Sequence, residues 1–355
     1  MGTSVLSQDR LSAMERRLGP LLRGQPFSVS WRVVPLGGAI PAGGAAPTQR
    51  AGADALPATG GVHAIGDRAD AVVPSFSTRK VSILCAVLAL ARAGRLDLEQ
   101  RHTITEAHRD GVQAGIMRTL SAGLDLTLAD CLTQMMCTSD NICTQLVFEA
   151  IGGAVGGGAE IGEAAREGNR EGAGGVAREA AEREALQYVN DYCAWAGMRS
   201  TLHREVFPRT GGLAWHHPID GLTITTAADQ SHLLALIGSG AGEGSASVGA
   251  AARLQLLPED CRRIISLMRG IYTPRLGAAT TRISFAEKNG RGLRSLSQVG
   301  LALDAQGAPL AAVAVFAEAV PTSLPDGVPG RNAVFAAVAE VGRAIEDGAV
   351  PVVTA

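Results

Sequence analysis

Lysine is nearly absent from this 355-residue chain. Of 32 basic residues only Lys80 and Lys288 are lysine, and the other 30 (32 − 2) are arginine. Aromatic residues are scarce too, at 4%, which removes the stacking platforms that bind single-stranded nucleic acid. A formal net charge of −2 gives no electrostatic pull toward nucleic acid or an anionic membrane, so neither is expected as a partner. No uninterrupted apolar run approaches the ~20 residues of a membrane span. The six cysteines, at 85, 131, 137, 143, 193 and 261, form no C-x-x-C pair and mostly sit among apolar residues; they read as reduced core thiols. His216-His217 lack a third ligand at suitable spacing, and His102 and His108 lack the glutamate of a zinc helix. No metal or cofactor is therefore expected. The stretch Met1 to Arg10 shows no basic n-region and no apolar h-region. Together with the thiols, it predicts a cytoplasmic chain as written, or a periplasmic or secreted one if the chain is a trimmed form.

What is present begins with Pro74-Ser-Phe-Ser77-Thr-Arg-Lys80 and the apolar run to Ala91. Pro74 breaks what precedes it, and no Gly or Pro follows Ser77 until Gly94. A helix start is predicted at or near Ser77, with Lys80 one turn on along the same face. A helix apolar all round is a buried central helix. Its N-terminus offers free N–H groups and positive potential to an alkoxide or oxyanion. Arginine carries the charge elsewhere in the chain, and a guanidinium does not lose its proton. A desolvated lysine beside other positive charge does, and then acts as a base.

Along the chain, Leu6 to Leu22 has helical periodicity, Phe27 to Val34 alternates as a strand, and Val62 to Gly66 reads as its hairpin partner. Leu126 to Cys137 is a helix with Thr127 as cap, followed by the turn Thr138-Ser139-Asp140-Asn141 and another apolar helix from Ile142. Leu186 to Trp195 and Pro258 to Arg269 are helices, and another starts after Thr225. Arg282 to Ala286, Ser297 to Leu303 and Leu310 to Phe316 are strands, and Asn332 to Ile345 is a closing helix. Residues 37–61 and 152–184 are Gly/Ala-rich and are expected to be mobile insertions, since they cannot bury a core face. Strands and a helix at both ends with helices between predict an α+β fold. One antiparallel sheet, built from both termini, carries an inserted all-α part. The expected division is 1–70 with 225–355 for the sheet part and 71–224 for the helical part.

Three short motifs then stand in order: Ser77-Thr-Arg-Lys80, Ser139-Asp-Asn141 and Lys288-Asn-Gly290. In this set the chain resembles the class A β-lactamases and the penicillin-recognising serine hydrolases around them, whose signature is Ser-x-x-Lys, Ser-Asp-Asn and Lys-Thr-Gly. Thr225-Thr-Ala-Ala and Met268-Arg-Gly add to the likeness. The resemblance implies that Ser77 attacks an amide carbonyl, Lys80 takes its proton and Ser139 relays a proton to the leaving nitrogen. It further implies that Asn141, Lys288, Asn289 and Gly290 hold the substrate, and that the backbone N–H groups of Ser77 and Arg291 form the oxyanion hole.

The sequence also departs from that pattern. Asn289 replaces Thr, and the arginine usual on the following strand is absent near Gln298, leaving Arg294 or Arg275 as substitutes. No Glu-x-x-Leu-Asn follows the second motif. In the stretch Thr201 to Phe207, Glu205 or His203 stands for the deacylating base, or neither does, and Glu205 also reads as a surface partner of Arg204. The expected activity is a β-lactamase-like serine hydrolase working through an acyl-enzyme on a small-molecule β-lactam or related amide. The alternatives are a cytosolic amidase, esterase or transacylase, and a penicillin-binding sensor with little turnover.

Overall fold

The computed structural model describes residues 6–36, 64–156, 173–209 and 219–349. Chain order runs α1 (Gln8–Arg23), β1 (Ser28–Pro35), β2 (Ile65–Asp67), β3 (Val73–Pro74), a 3₁₀ turn (Phe76–Arg79) and α2 (Lys80–Arg92). Then come β4 (Arg101–Thr103), α3 (Glu106–Arg109), β5 (Asp125–Thr127), α4 (Leu128–Cys137), α5 (Asn141–Val155) and α6 (Ala173–Trp195). The last part is β6 (Ile224–Thr225), α7 (Ala227–Gly240), α8 (Ser245–Ala252), α9 (Pro258–Arg269), β7 (Ser284–Arg291), β8 (Leu296–Leu303), β9 (Pro309–Glu318) and α10 (Gly330–Ala349).

Five strands form one antiparallel sheet in the order β2-β1-β9-β8-β7, so both ends of the chain do meet in it. The α+β reading holds. Strands β8 and β9 are buried on both faces, which explains their near-continuous apolar runs. One face packs on α1 and α10 through residues such as Leu18, Trp31, Val313 and Val341. The other packs on the helical core built around α2, α4, α5 and α7. Every residue of α2 from Lys80 to Leu90 is buried, as a helix apolar on all sides requires. Thr127 accepts from Asp130 N at 3.0 Å and caps α4, as expected.

The expected insertion at 152–184 is helical at both margins, since α5 runs through Val155 and α6 begins at Ala173. Its Gly/Ala-rich composition suggests a mobile insertion, but Gly152 is a packing residue. A Cβ there would meet the Ala181 carbonyl oxygen at 2.6 Å, so only glycine lets α5 and α6 approach so closely. Residues 157–172, like the hairpin tip at 37–61, lie outside the described residues.

Candidate active site

Ser77 sits in the 3₁₀ turn that leads into α2, and Lys80 opens the α-helix three residues on. The turn is fixed from both sides. Ser75 N donates to Thr223 O at 2.9 Å, and Thr78 Oγ1 donates to Ser75 O at 2.7 Å. Phe76 has a φ of 43°. For an aromatic residue that left-handed conformation costs about 1–3 kcal/mol, so strain is stored one residue before the hydroxyl. Strand β7 presses on this turn at Gly290, where a Cβ would lie 2.8 Å from Ser75 O and 3.3 Å from Phe76 Cβ. Any larger residue there would push the sheet edge off the turn. Ser77 is half-buried, and among the described residues its hydroxyl makes no hydrogen bond.

The two lysines converge. Lys80 Nζ lies 2.7 Å from Ser139 O, 3.3 Å from Ser139 Oγ and 2.9 Å from Asn141 Oδ1. Lys288 Nζ, reaching in from β7, donates to the same Ser139 Oγ at 3.0 Å. Ser139 has a φ of 59°, and this tight backbone turn offers both its carbonyl and its hydroxyl to Lys80. Asp140 braces that turn by accepting from Cys143 N at 3.0 Å, capping α5, and from Met117 N at 2.8 Å. Both lysines are fully buried. Burial, then the charge of Lys288, then that of Arg79 drive the Lys80 pKa well below its ordinary value. Burial brings Lys288 down to about 7. Two ammonium groups cannot both be charged cheaply around one hydroxyl, and burial and mutual repulsion favour a neutral amine at Lys80.

The remaining expected residues divide. Asn141, Lys288, Asn289 and Gly290 stand with Ser139 around this centre, and Arg291 is the exposed last residue of β7. Asn289 Oδ1 accepts from Lys288 Nζ at 3.0 Å, and its Nδ2 donates to Thr273 Oγ1 at 2.9 Å. Glu205 is not brought into the lysine network. Arg79 Nη1 donates to Glu205 Oε1 at 2.7 Å and to Glu205 O at 2.7 Å, and Thr223 Oγ1 donates to Glu205 Oε2 at 2.8 Å. Its carboxylate is thus filled by Arg79, not by Arg204 as the sequence suggested. His203 lies in the core, where Nε2 meets Ser82 Oγ at 3.2 Å. Burial drives its pKa down to about 3, so its imidazole is neutral. His216 and His217 lie outside the described residues.

Neither proposed arginine substitute faces the centre. Arg275 stacks over the Phe335 ring at 4.1 Å, and Arg294 donates to Ala319 O at 3.0 Å. Gln298 Nε2 donates to Glu287 Oε2 on the β7–β8 pair. The residue that sequence reasoning missed is Arg79. Composition alone makes arginine this chain's ordinary surface charge, yet this one is 1% exposed and also donates to Val206 O and to Thr223 Oγ1, the latter at 2.7 Å. The available signal was its place between Ser77 and Lys80, in the turn that opens onto a helix buried from Lys80 to Leu90.

Residues 57–159 match the model of the Beta-lactamase enzyme family. Solved structures match over almost the whole chain. A β-lactamase from Xanthomonas campestris pv. campestris is 18% identical over 95% of this chain and 98% of its own, at a TM-score of 0.64. The family resemblance is borne out. A β-lactamase from Sphaerobacter thermophilus is 19% identical over 95% of this chain and 96% of its own, at a TM-score of 0.63. PBP-A is 17% identical over 95% and 97%, at a TM-score of 0.61. A variant of PBP-A is known as an acyl-enzyme complex with penicillin G. No curated protein sequence matches the chain significantly. In its fold the chain is similar to β-lactamases and to PBP-A, and its family match covers residues 57–159.

Proposed function

We propose that the chain is an acyl-transferring serine hydrolase whose nucleophile is Ser77, acting on a β-lactam or a related activated amide or ester. The observation that carries this reading is the convergence of Lys80 and Lys288 on one Ser139 hydroxyl, at 3.3 and 3.0 Å. Ser77 Oγ attacks the carbonyl carbon while its proton passes to neutral Lys80, on the same face of the turn. The carbonyl oxygen takes up the electron pair and is held by the backbone N–H groups of Ser77 and Arg291. As the oxygen's electrons return, the carbon–nitrogen bond breaks. The proton travels from Lys80 through the Ser139 hydroxyl, which both accepts and donates, to the leaving nitrogen. Lys288 keeps the Lys80 proton acidic, and Asn141 orients the amine. Gly290 leaves room for substrate along the edge of β7. Hydrolysis is completed when water takes the acyl group from Ser77.

That last step favours a second reading, a penicillin-binding protein with slow turnover. Both carboxylate oxygens of Glu205 already accept a hydrogen bond, from Arg79 and Thr223, so this candidate base is tied to the buried arginine. An active-site fluorophosphonate tests the acyl-transfer reading itself. It should label wild type at Ser77 and leave Ser77→Ala unlabelled, and an unlabelled wild type overturns the proposal. Nitrocefin separates the two readings, with continuous hydrolysis marking a β-lactamase and a single stoichiometric burst marking a slow-turnover binder.

A further inference from the structure

Glu287 immediately precedes Lys288 on β7, and strand alternation turns its side chain to the other face. It is fully buried, and the acyl-transfer steps make no use of it. Its Oε2 accepts from Arg275 N and Leu276 N, each at 3.0 Å, and from Gln298 Nε2, while Oε1 accepts from Gly277 N at 3.1 Å. Successive main-chain N–H groups aimed at one carboxylate make an anion nest. Here the nest fixes a strap, residues 272–277, that runs from the end of α9 toward β7.

The strap is backed by α10. Arg275 stacks over Phe335 at 4.1 Å, and a Cβ at Gly342 would lie 1.9 Å from Leu276 O, so only glycine lets the helix approach the strap this closely. At its other end Tyr272 N donates to Cys137 O at 3.2 Å, two residues before Ser139. Between these anchors Thr273 Oγ1 accepts from Asn289 Nδ2 at 2.9 Å. The opposite end of that amide, Asn289 Oδ1, accepts from Lys288 Nζ at 3.0 Å, and Lys288 Nζ reaches Ser139 Oγ at 3.0 Å. A continuous path of hydrogen bonds and backbone thus runs from Glu287 through the strap to the hydroxyl that the two lysines share.

We infer that Glu287 is a positioning residue for acyl transfer: it sets the strap, and through Thr273 the strap orients the Asn289 amide at the edge of β7 where the donor lies. This deepens, and rests on, the acyl-transfer reading of Ser77. The Lys288 ammonium only donates, so Asn289 turns its oxygen to Lys288 and its nitrogen to Thr273. Thr273 meets that nitrogen only while the strap stays against β7, and Glu287 is the group that satisfies the strap's N–H groups there. Glu287→Gln puts an NH₂ group against one side of the nest, because its single remaining oxygen cannot replace both. The strap then loses its anchor and the amide its partner, while Ser77 and Lys80 stay on other elements.

The test compares two reagents on the whole protein, with the Ser77 adduct followed by intact mass. Diisopropyl fluorophosphate is small and calls on the nucleophile and its base, whereas benzylpenicillin also extends along β7 to Lys288 and Asn289. The ratio of the penicillin rate to the fluorophosphate rate is internal to each preparation, so it does not depend on how much of a variant folds. It should fall about tenfold or more in Glu287→Gln, the size of loss that a misplaced binding group produces. Thr273→Val changes an exposed position and leaves the Glu287 bonds in place, so it reads the same path even if Glu287→Gln does not fold. It should lower the ratio too, and the double variant should lower it no further than the larger single change, because both act through one relay. A ratio that either single variant leaves unchanged, or a double variant whose losses multiply, would overturn the inference. Penicillin that fails on a wild type labelled by the fluorophosphate overturns it while the acyl-transfer reading stands, and a wild type labelled by neither removes both.

Discussion

Arg79 Nη1 lies 2.7 Å from Glu205 Oε1, and this pair holds the 205–206 segment against the 3₁₀ turn that leads into α2. The arginine is fully buried, whereas the carboxylate keeps 21% of its side-chain exposure. Removing one partner of such a pair leaves an uncompensated charge and costs about 3 kcal/mol or more. Glu205→Ala should therefore lower stability by about that amount in denaturant unfolding. Glu205→Gln keeps hydrogen-bonding oxygen and nitrogen in place, and the lifetime of the Ser77 acyl-enzyme should change by less than about threefold, because a carboxylate already tied to Arg79 is not the deacylating base. A lifetime lengthened about a hundredfold in Glu205→Gln would identify that carboxylate as the base after all.

Lys80 predicts a pH dependence. Its pKa is well below 10.5, chiefly through burial and then the charges of Lys288 and Arg79. It therefore works as a neutral base at pH values where an exposed lysine is fully protonated. Acylation of Ser77 should fall as pH drops through the Lys80 pKa, with no requirement for alkaline solution. Lys80→Arg keeps positive charge but not a removable proton, and should cut the acylation rate by a factor on the order of 10² to 10⁴ above the Lys80 pKa, the gap narrowing as pH falls below it. Stopped-flow acylation across a pH series reads both effects.

Lys288 predicts the opposite of a stabilising salt bridge. Its folded pKa of about 7 is depressed from 10.5, so between those values the unfolded chain binds more protons than the folded one. Stability then rises with pH across that window and is lost as pH falls toward 7. Lys288→Met should abolish acylation yet unfold at higher denaturant than wild type at pH 7. The gap should close by roughly 1.4 kcal/mol per pH unit on going toward pH 9.

Gly290 predicts a packing limit. A Cβ there would lie 2.8 Å from Ser75 O. Gly290→Val should cost about 1–3 kcal/mol of stability by overpacking. It should also lower acylation more than that loss explains, because the turn bearing Ser77 is displaced. Thermal melts paired with acylation rates on the folded fraction separate the two.

Much of this was legible before any coordinates. Periodicity placed α1, α4 and α9 because each buries a regular apolar face, unbroken apolar runs marked α2 and the inner strands, and the two lysines stood out against thirty arginines. What escaped detection depended on tertiary contact. Gly152 and its neighbours look like linker in sequence, and only the crossing of α6 at Ala181 makes them a helix interface. Arg79 looks like one more surface arginine until Glu205, Val206 and Thr223 are seen to surround it. Short pairings such as β3 with β6 and β4 with β5 carry too few residues for an alternating pattern to show.

The most direct measurement is time-resolved intact mass of the protein with excess acyl donor, followed by mapping of the modified peptide. The predicted result is one added acyl group, carried by Ser77, lost in Ser77→Ala and slowed by orders of magnitude in Lys80→Arg. An unmodified wild type, or an adduct carried by Ser139 or by a cysteine while Ser77 stays free, is the result that contradicts it.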